Sequence, residues 1–216
     1  MKTEMGESLI YSWLRHIKGC QLVQTNWKPS PSWKIHDEEG LEKLFDATRH
    51  HFKSVRGYDV FKNSSCSQLI KQAEIDVLGI SSGDQSFDVY AVDVAFHESG
   101  LNYGSKKETI ERVIKKLARA AICVSGFFDI SNGKHIFGKL IFASPKIQDS
   151  LIGDLELCVA DLNDLLHNNG FCFKAQVLAN NAFYKQVMEP ILMTSSSVSD
   201  TSELFMRAYQ LRKMFK

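Results

Sequence analysis

The chain has 216 residues, 44% of them hydrophobic and 24% charged, with 26 lysines and arginines against 25 aspartates and glutamates. That balance is typical of a globular domain able to bury its own core, and it excludes a disordered polyelectrolyte. The formal net charge of +1 excludes attraction of polyanions by the molecule as a whole, so nucleic-acid binding requires a local basic patch.

In chain order, residues 4–17 carry Leu9, Ile10, Trp13, Leu14 and Ile17 at helical spacing, and Gly19 follows as a stop. Residues 21–27 alternate in the strand manner, and Pro29 and Pro31 make the next stretch a loop. A second helix is predicted over 37–52 from Leu41, Leu44, Phe45 and Phe52. Residues 73–80 and 87–96 are β-rich runs joined by the polar turn Ser81-Ser82-Gly83-Asp84-Gln85, a hairpin signal. A long helix follows over 106–125, with Ile110, Val113, Ile114, Leu117, Ala121 and Val124 on one face. A short buried strand at 139–143, a helix over 147–167 with a break near Gly153, and a strand at 171–178 complete the main body.

A helix set between runs of strands favours an α/β fold with a central mixed sheet flanked by helices. We expect one α/β domain over 1–193, a Ser/Thr-rich linker over 194–201 and a C-terminal helical extension over 202–216. The last helix carries Leu204, Phe205, Ala208 and Leu211 on one side and Arg207, Arg212, Lys213 and Lys216 elsewhere. It is either a packing element or the arm of a homodimer.

The five cysteines, Cys20, Cys66, Cys123, Cys158 and Cys172, form no CxxC pair and mostly occupy apolar runs, as buried reduced thiols would. Glu4 and Glu7 stand where a signal peptide needs a clean apolar stretch, and no run approaches the roughly 20 apolar residues of a membrane span. The expected location is cytoplasmic.

The chemistry concentrates in the hairpin. Asp76 lies in its first strand and Asp93 near the end of its second. A carboxylate in an apolar strand is costly unless its charge is compensated, and two together repel unless a cation sits between them. Hard divalent cations take oxygen ligands, usually one or two carboxylates with waters and substrate phosphate. The alternatives are a solvated strand face, or pairing of each acid with a lysine or arginine from a neighbouring helix.

Glu74-Ile75-Asp76-Val77-Leu78 and Val92-Asp93-Val94-Ala95, with a helix before and after, resemble the two acidic motifs of the PD-(D/E)XK (restriction-endonuclease-like) nucleases. The resemblance covers roughly residues 4–145 and implies a core of helix, three strands, helix and strand. It also implies Mg²⁺ or Mn²⁺ held by Asp76 and Asp93, with Glu7 of the first helix as a further ligand and Glu4 as its runner-up. The motif lysine, which would orient water or stabilise phosphate charge, is replaced by Ala95. Lys106 or Lys107, on long flexible stems, or His97 are the expected stand-ins, with Glu98 beside His97 as a further candidate for water or metal. His97 taken alone is more often a hydrogen-bonded structural histidine than a catalyst.

Arg112, Lys115, Lys116 and Arg119 fall on one face of the long helix, where they either form a solvated face or neutralise phosphates. Trp27, Trp33 and Tyr103 stack bases in the functional reading and fill the core or its rim in the plain one. The sequence therefore points to a metal-dependent nuclease, or a protein derived from one, acting on nucleic acid and most naturally DNA. The rival is a non-catalytic nucleic-acid or protein interaction module on the same fold.

Overall fold

The computed structural model describes residues 2–83, 86–128, 135–195, 197–198 and 201–214. Asp84 and Gln85 of the expected turn, Ser196, Ser199 and Asp200 of the expected linker, and Phe215 and Lys216 at the end of the expected last helix lie outside the described residues. The elements in order are α1 (Lys2–His16), β1 (Leu22–Trp27), α2 (Glu38–Val55), α3 (Cys66–Lys71), β2 (Ile75–Ser82) and β3 (Ser86–Val94). They continue as α4 (Lys106–Phe127), β4 (His135–Ser144), α5 (Asp149–Asn168), β5 (Phe173–Ala179), α6 (Asn180–Phe183), a π-helical turn (Tyr184–Met188), α7 (Glu189–Thr194) and α8 (Leu204–Lys213).

The strands form one mixed sheet in the order β1-β2-β3-β4-β5. β1, β2 and β3 pair antiparallel, and β4 and β5 add in parallel through crossovers that contain α4 and α5. Alternation along the strands sends side chains to two separate cores. Leu78, Val89, Ala91, Leu140, Phe142 and Ala175 pack with α2, α3, α4 and α5 on one face. Val77, Tyr90, Val92, Val94, Ile141 and Leu178 pack with α1, the helical segment after β5, and Met206 of α8 on the other. The inner strands are apolar on both sides because helices cover both.

Local chemistry sets the helix boundaries. Ser105 and Glu108 form a capping box at the start of α4, and Ser65 and Gln68 form another at α3. Helix α3, six residues long, is too short to show a periodic pattern and was missed; its one signal in sequence is the Ser65–Gln68 spacing. Helix α5 runs unbroken through Gly153. A lone glycine costs a helix only about 1 kcal/mol relative to alanine, which the buried stripe of Leu151, Leu155, Cys158 and Leu162 outweighs. Among the cysteines, Cys172 is exposed rather than buried. Burial pushes the thiols of Cys66 and Cys123 up to about 12 and those of Cys20 and Cys158 up to about 11.

Helix α8 docks on α1 of its own chain. The buried Glu203 carboxylate accepts from Ser12 Oγ, and its Oε1 lies 2.9 Å from His16 Nε2 and 3.3 Å from Arg15 Nη1. Gln210 Nε2 donates to the carbonyls of Ser195 (3.1 Å) and Val198 (2.7 Å), tying the connecting segment to the same body. No described helix is long and apolar enough to cross a membrane.

Candidate functional site: an acid pair bridged by a helix lysine

The β2–β3 register pairs Val77 with Val92, so one step further along Asp76 falls opposite Asp93. Here the ladder ends and the strands part. The amide of Val94, which has lost its backbone acceptor on β2, donates instead to Asp76 Oδ2 at 2.7 Å. Asp76 is half-buried and Asp93 is buried.

The compensating charge comes from α4. Lys116 Nζ lies 2.7 Å from Asp93 Oδ1 and 3.7 Å from Asp76 Oδ2. Arg119, one turn on, places Nη2 3.8 Å from Asp93 Oδ1 and donates to the Glu74 carbonyl at 3.1 Å. The acid pair therefore shares one ammonium with a guanidinium behind it. Ala95, the position of the missing motif lysine, is buried in the core between the sheet and α4. Its small side chain faces the helix that delivers Lys116 from the opposite direction.

Electrostatics follow from burial and proximity. Burial pushes the Asp76 carboxyl above its usual pKa; Lys116 opposes the shift and Asp93 adds to it. Burial works to lower the Lys116 pKa, but the attraction of Asp93 and Asp76 outweighs it and holds the ammonium above its usual value. Glu7 is also raised, by burial first and by the Asp76 charge second, which places it in the electrostatic neighbourhood of the pair. It accepts from Asn26 Nδ2 at 3.3 Å. Gly6 allows this approach, because a Cβ there would stand 2.9 Å from Val94 Cγ1 and prevent α1 from closing on the end of β3.

The structure separates the other expected site residues. Lys106 Nζ pairs with Asp154 Oδ2 at 2.8 Å, and Lys107 Nζ lies 3.9 Å from Glu111 Oε1, so both are engaged away from the acids. Lys116 in the third turn of α4 and Arg119 in the fourth, well past its start, come level with the acids. The His97 ring stands edge-on to Tyr103 with centroids 5.7 Å apart, and the Arg112 guanidinium lies 5.2 Å from the centre of the same ring. Tyr103 feels the charges of Lys116, Asp93 and Asp76, and burial pushes its phenol pKa up. Lys115 turns toward Ser64 Oγ at 3.5 Å, its pKa lowered by burial and by Arg119 and Lys62. Glu4 is exposed.

The arginines and lysines of α4 thus do not share one role. In sequence Lys116 reads as part of a phosphate-binding or solvated face. Pairing of the acids with a lysine or arginine of a neighbouring helix stands as the alternative to a metal, and the contacts of Lys116 and Arg119 are that pairing. The signal for the actual position of Lys116 is its place between Val113 and Leu117 at the border of the buried stripe, where a lysine stem can lie along the core and carry its charge to a buried acid. Asn26 was missed; its left-handed backbone (φ 50°) is one that asparagine adopts more readily than most residues, which is the signal its identity offers.

Among the described residues no group of three or more histidines, cysteines or acids stands ready to hold a metal ion. Two carboxylates are nevertheless enough for Mg²⁺, which keeps waters and uses substrate phosphate for its remaining positions. Among the described residues, no hydrogen bond reaches Oδ1 of Asp76 or Oδ2 of Asp93. No family model, curated protein or solved structure matches the chain.

Proposed function

We propose that the chain is a metal-dependent nuclease of the restriction-endonuclease-like kind, hydrolysing phosphodiesters in DNA, with Lys116 in the role of the lysine missing at Ala95. The observation that carries this reading is the Lys116 ammonium, 2.7 Å and 3.7 Å from the two acids that the motifs single out. The order α1, β1, β2, β3, α4, β4 also agrees with the expected core, with α2 and α3 inserted between the first two strands.

Asp76 and Asp93 would hold Mg²⁺ or Mn²⁺, with Glu7 as an outer acid. Such an ion supplies charge stabilisation on the scissile phosphate and lowers the pKa of water. Lys116 has three N–H donors and gives one to Asp93, which leaves donors for a phosphate oxygen or an attacking water. Arg112 and Lys115 extend positive charge along α4 for the neighbouring phosphates. The purified protein should nick plasmid DNA with Mn²⁺. Replacing Asp93 by Asn or Lys116 by Met should slow nicking by about a hundredfold or more, the usual effect of losing one electrostatic stabiliser. Wild-type nicking by Asp76→Ala would overturn the reading.

The same lysine also favours a second reading. An ammonium already neutralises the acid pair, so the fold can serve as a non-catalytic nucleic-acid or protein interaction module. That reading predicts binding unaffected by EDTA, no heat of divalent-ion binding in calorimetry, and no cleavage.

A further inference from the structure

The chain has three tryptophans, and their surroundings differ. Trp13 (1% exposed) and Trp27 (6%) are core residues, whereas Trp33 is 50% exposed. Trp33 is nonetheless fixed in place: its ring lies 6.0 Å from that of Trp27, tilted by 40°, and meets Phe127 edge-on at 5.9 Å. Trp27 in turn lies 6.0 Å from Phe128. One side of the Trp33 indole therefore rests on an aromatic shelf at the end of α4, while the other is open to solvent. A large apolar surface held rigid and half wet is the arrangement that favours stacking by a flat ligand, because little ordering cost remains.

Its position ties it to the acid pair. Trp27 pairs with Ile75, the residue before Asp76, and belongs to the core between the sheet and α4, the side on which Asp93 meets Lys116. Phe127, on which Trp33 rests, lies eleven residues beyond Lys116 on α4, so the platform and the acid pair are about 16 Å apart along that helix. Cations occupy the interval. Lys28 Nζ lies 3.1 Å from Glu74 Oε2, with its side chain still 61% exposed, and Arg119 spans from the Glu74 carbonyl to Asp93.

We propose that the open face of Trp33 is a stacking platform for an unpaired base, so that single-stranded nucleic acid is the substrate class of the acid site. Bases within a duplex keep both faces stacked on their neighbours, and only an unpaired base offers a face to an indole. Lys28 and Arg119 carry the sugar–phosphate chain from the platform to Asp76 and Asp93. The inference rests on the nucleic-acid reading of that site, but it does not require cleavage.

The test is anisotropy of a labelled twelve-nucleotide oligothymidylate and of a labelled duplex of the same length, in EDTA. Wild-type protein should prefer the single strand. Trp33→Ala should weaken single-strand binding about tenfold, with duplex binding unchanged and Trp33→Phe keeping most of the affinity. In the wild-type chain, acrylamide quenching of tryptophan emission reports chiefly on Trp33, and oligothymidylate should protect it. This measurement stands even if Trp33→Ala folds poorly. Equal single-strand affinity of a folded Trp33→Ala variant, unprotected emission at saturating oligonucleotide, or tighter binding of the duplex would overturn the platform. Trp33-dependent binding without Mn²⁺-dependent nicking would instead leave the platform standing and remove the nuclease.

Discussion

Replacing Lys116 by methionine keeps the stem and removes the charge. The ammonium stands 2.7 Å from Asp93 Oδ1 and 3.7 Å from Asp76 Oδ2. At an effective dielectric of about 20 these contacts are worth about 6 and about 4 kcal/mol of gross attraction, most of it offset by desolvation. Removing one partner of a buried pair costs about 3–5 kcal/mol, because the other charge is left uncompensated. The Lys116 side chain is 28% exposed against 2% for Asp93, and Arg119 remains at 3.8 Å, so the lower end applies: about 3 kcal/mol. Urea unfolding at pH 7.5 measures it directly. The loss should shrink as pH falls toward 4. Asp76, already held above its usual pKa by burial, loses the ammonium that opposed the shift. A carboxyl with a raised folded-state pKa contributes stability that is complete below its unfolded value, about 3.9, and is lost as pH rises through the folded one. Adding Asp93→Asn to Lys116→Met should restore most of the loss at pH 7.5. A Lys116→Met protein as stable as wild type, with the same pH dependence, would refute the idea that this lysine neutralises the pair.

Two further outcomes follow from the same geometry. Asp76→Asn keeps an acceptor for the Val94 amide while removing a charge that burial disfavours, so it should melt above wild type at pH 7.5. That advantage should vanish below about pH 4, where Asp76 is protonated in both states, and a lower melting temperature at neutral pH would count against the burial argument. Gly6→Val places a Cβ 2.9 Å from Val94 Cγ1 and 3.2 Å from Phe96 Cδ2, and the overpacking should cost about 1–3 kcal/mol in chemical denaturation. An unchanged midpoint there would show that α1 does not need its close seat on β3.

Much of the element order was readable because each signal is short-range. The hairpin announces itself through two β-rich runs and a polar turn, and α4 through its apolar stripe. Where short-range rules competed with packing, packing prevailed, as at Gly153, which the stripe of α5 carries through without a break. The segment from Asn180 to Thr194 escaped notice because its helical turns are short and interrupted by a π-helical stretch. Its buried Phe183, Val187 and Ile191 gain their meaning only from α1 and the far face of the sheet. Residues 194–201 read as a Ser/Thr-rich linker in composition, yet Gln210 of α8 donates to the carbonyls of Ser195 and Val198, while Glu203 beside α8 is fastened to Ser12, Arg15 and His16 of α1.

The sequence by itself determined the strands that carry Asp76 and Asp93, and the alternation that brings two acids to one end of one hairpin. It did so because strand period and turn chemistry act within a few residues. Which cation meets those acids was decided only by the tertiary structure. Lys106, Lys107, Lys115 and Lys116 share one helix, and their distances to Asp93 depend on where α4 crosses the sheet. That crossing is set by the burial of Ile110, Val113, Ile114 and Leu117 against β3 and β4. It leaves Lys116 over the acids, turns Lys115 toward Ser64, and sends Lys106 to Asp154.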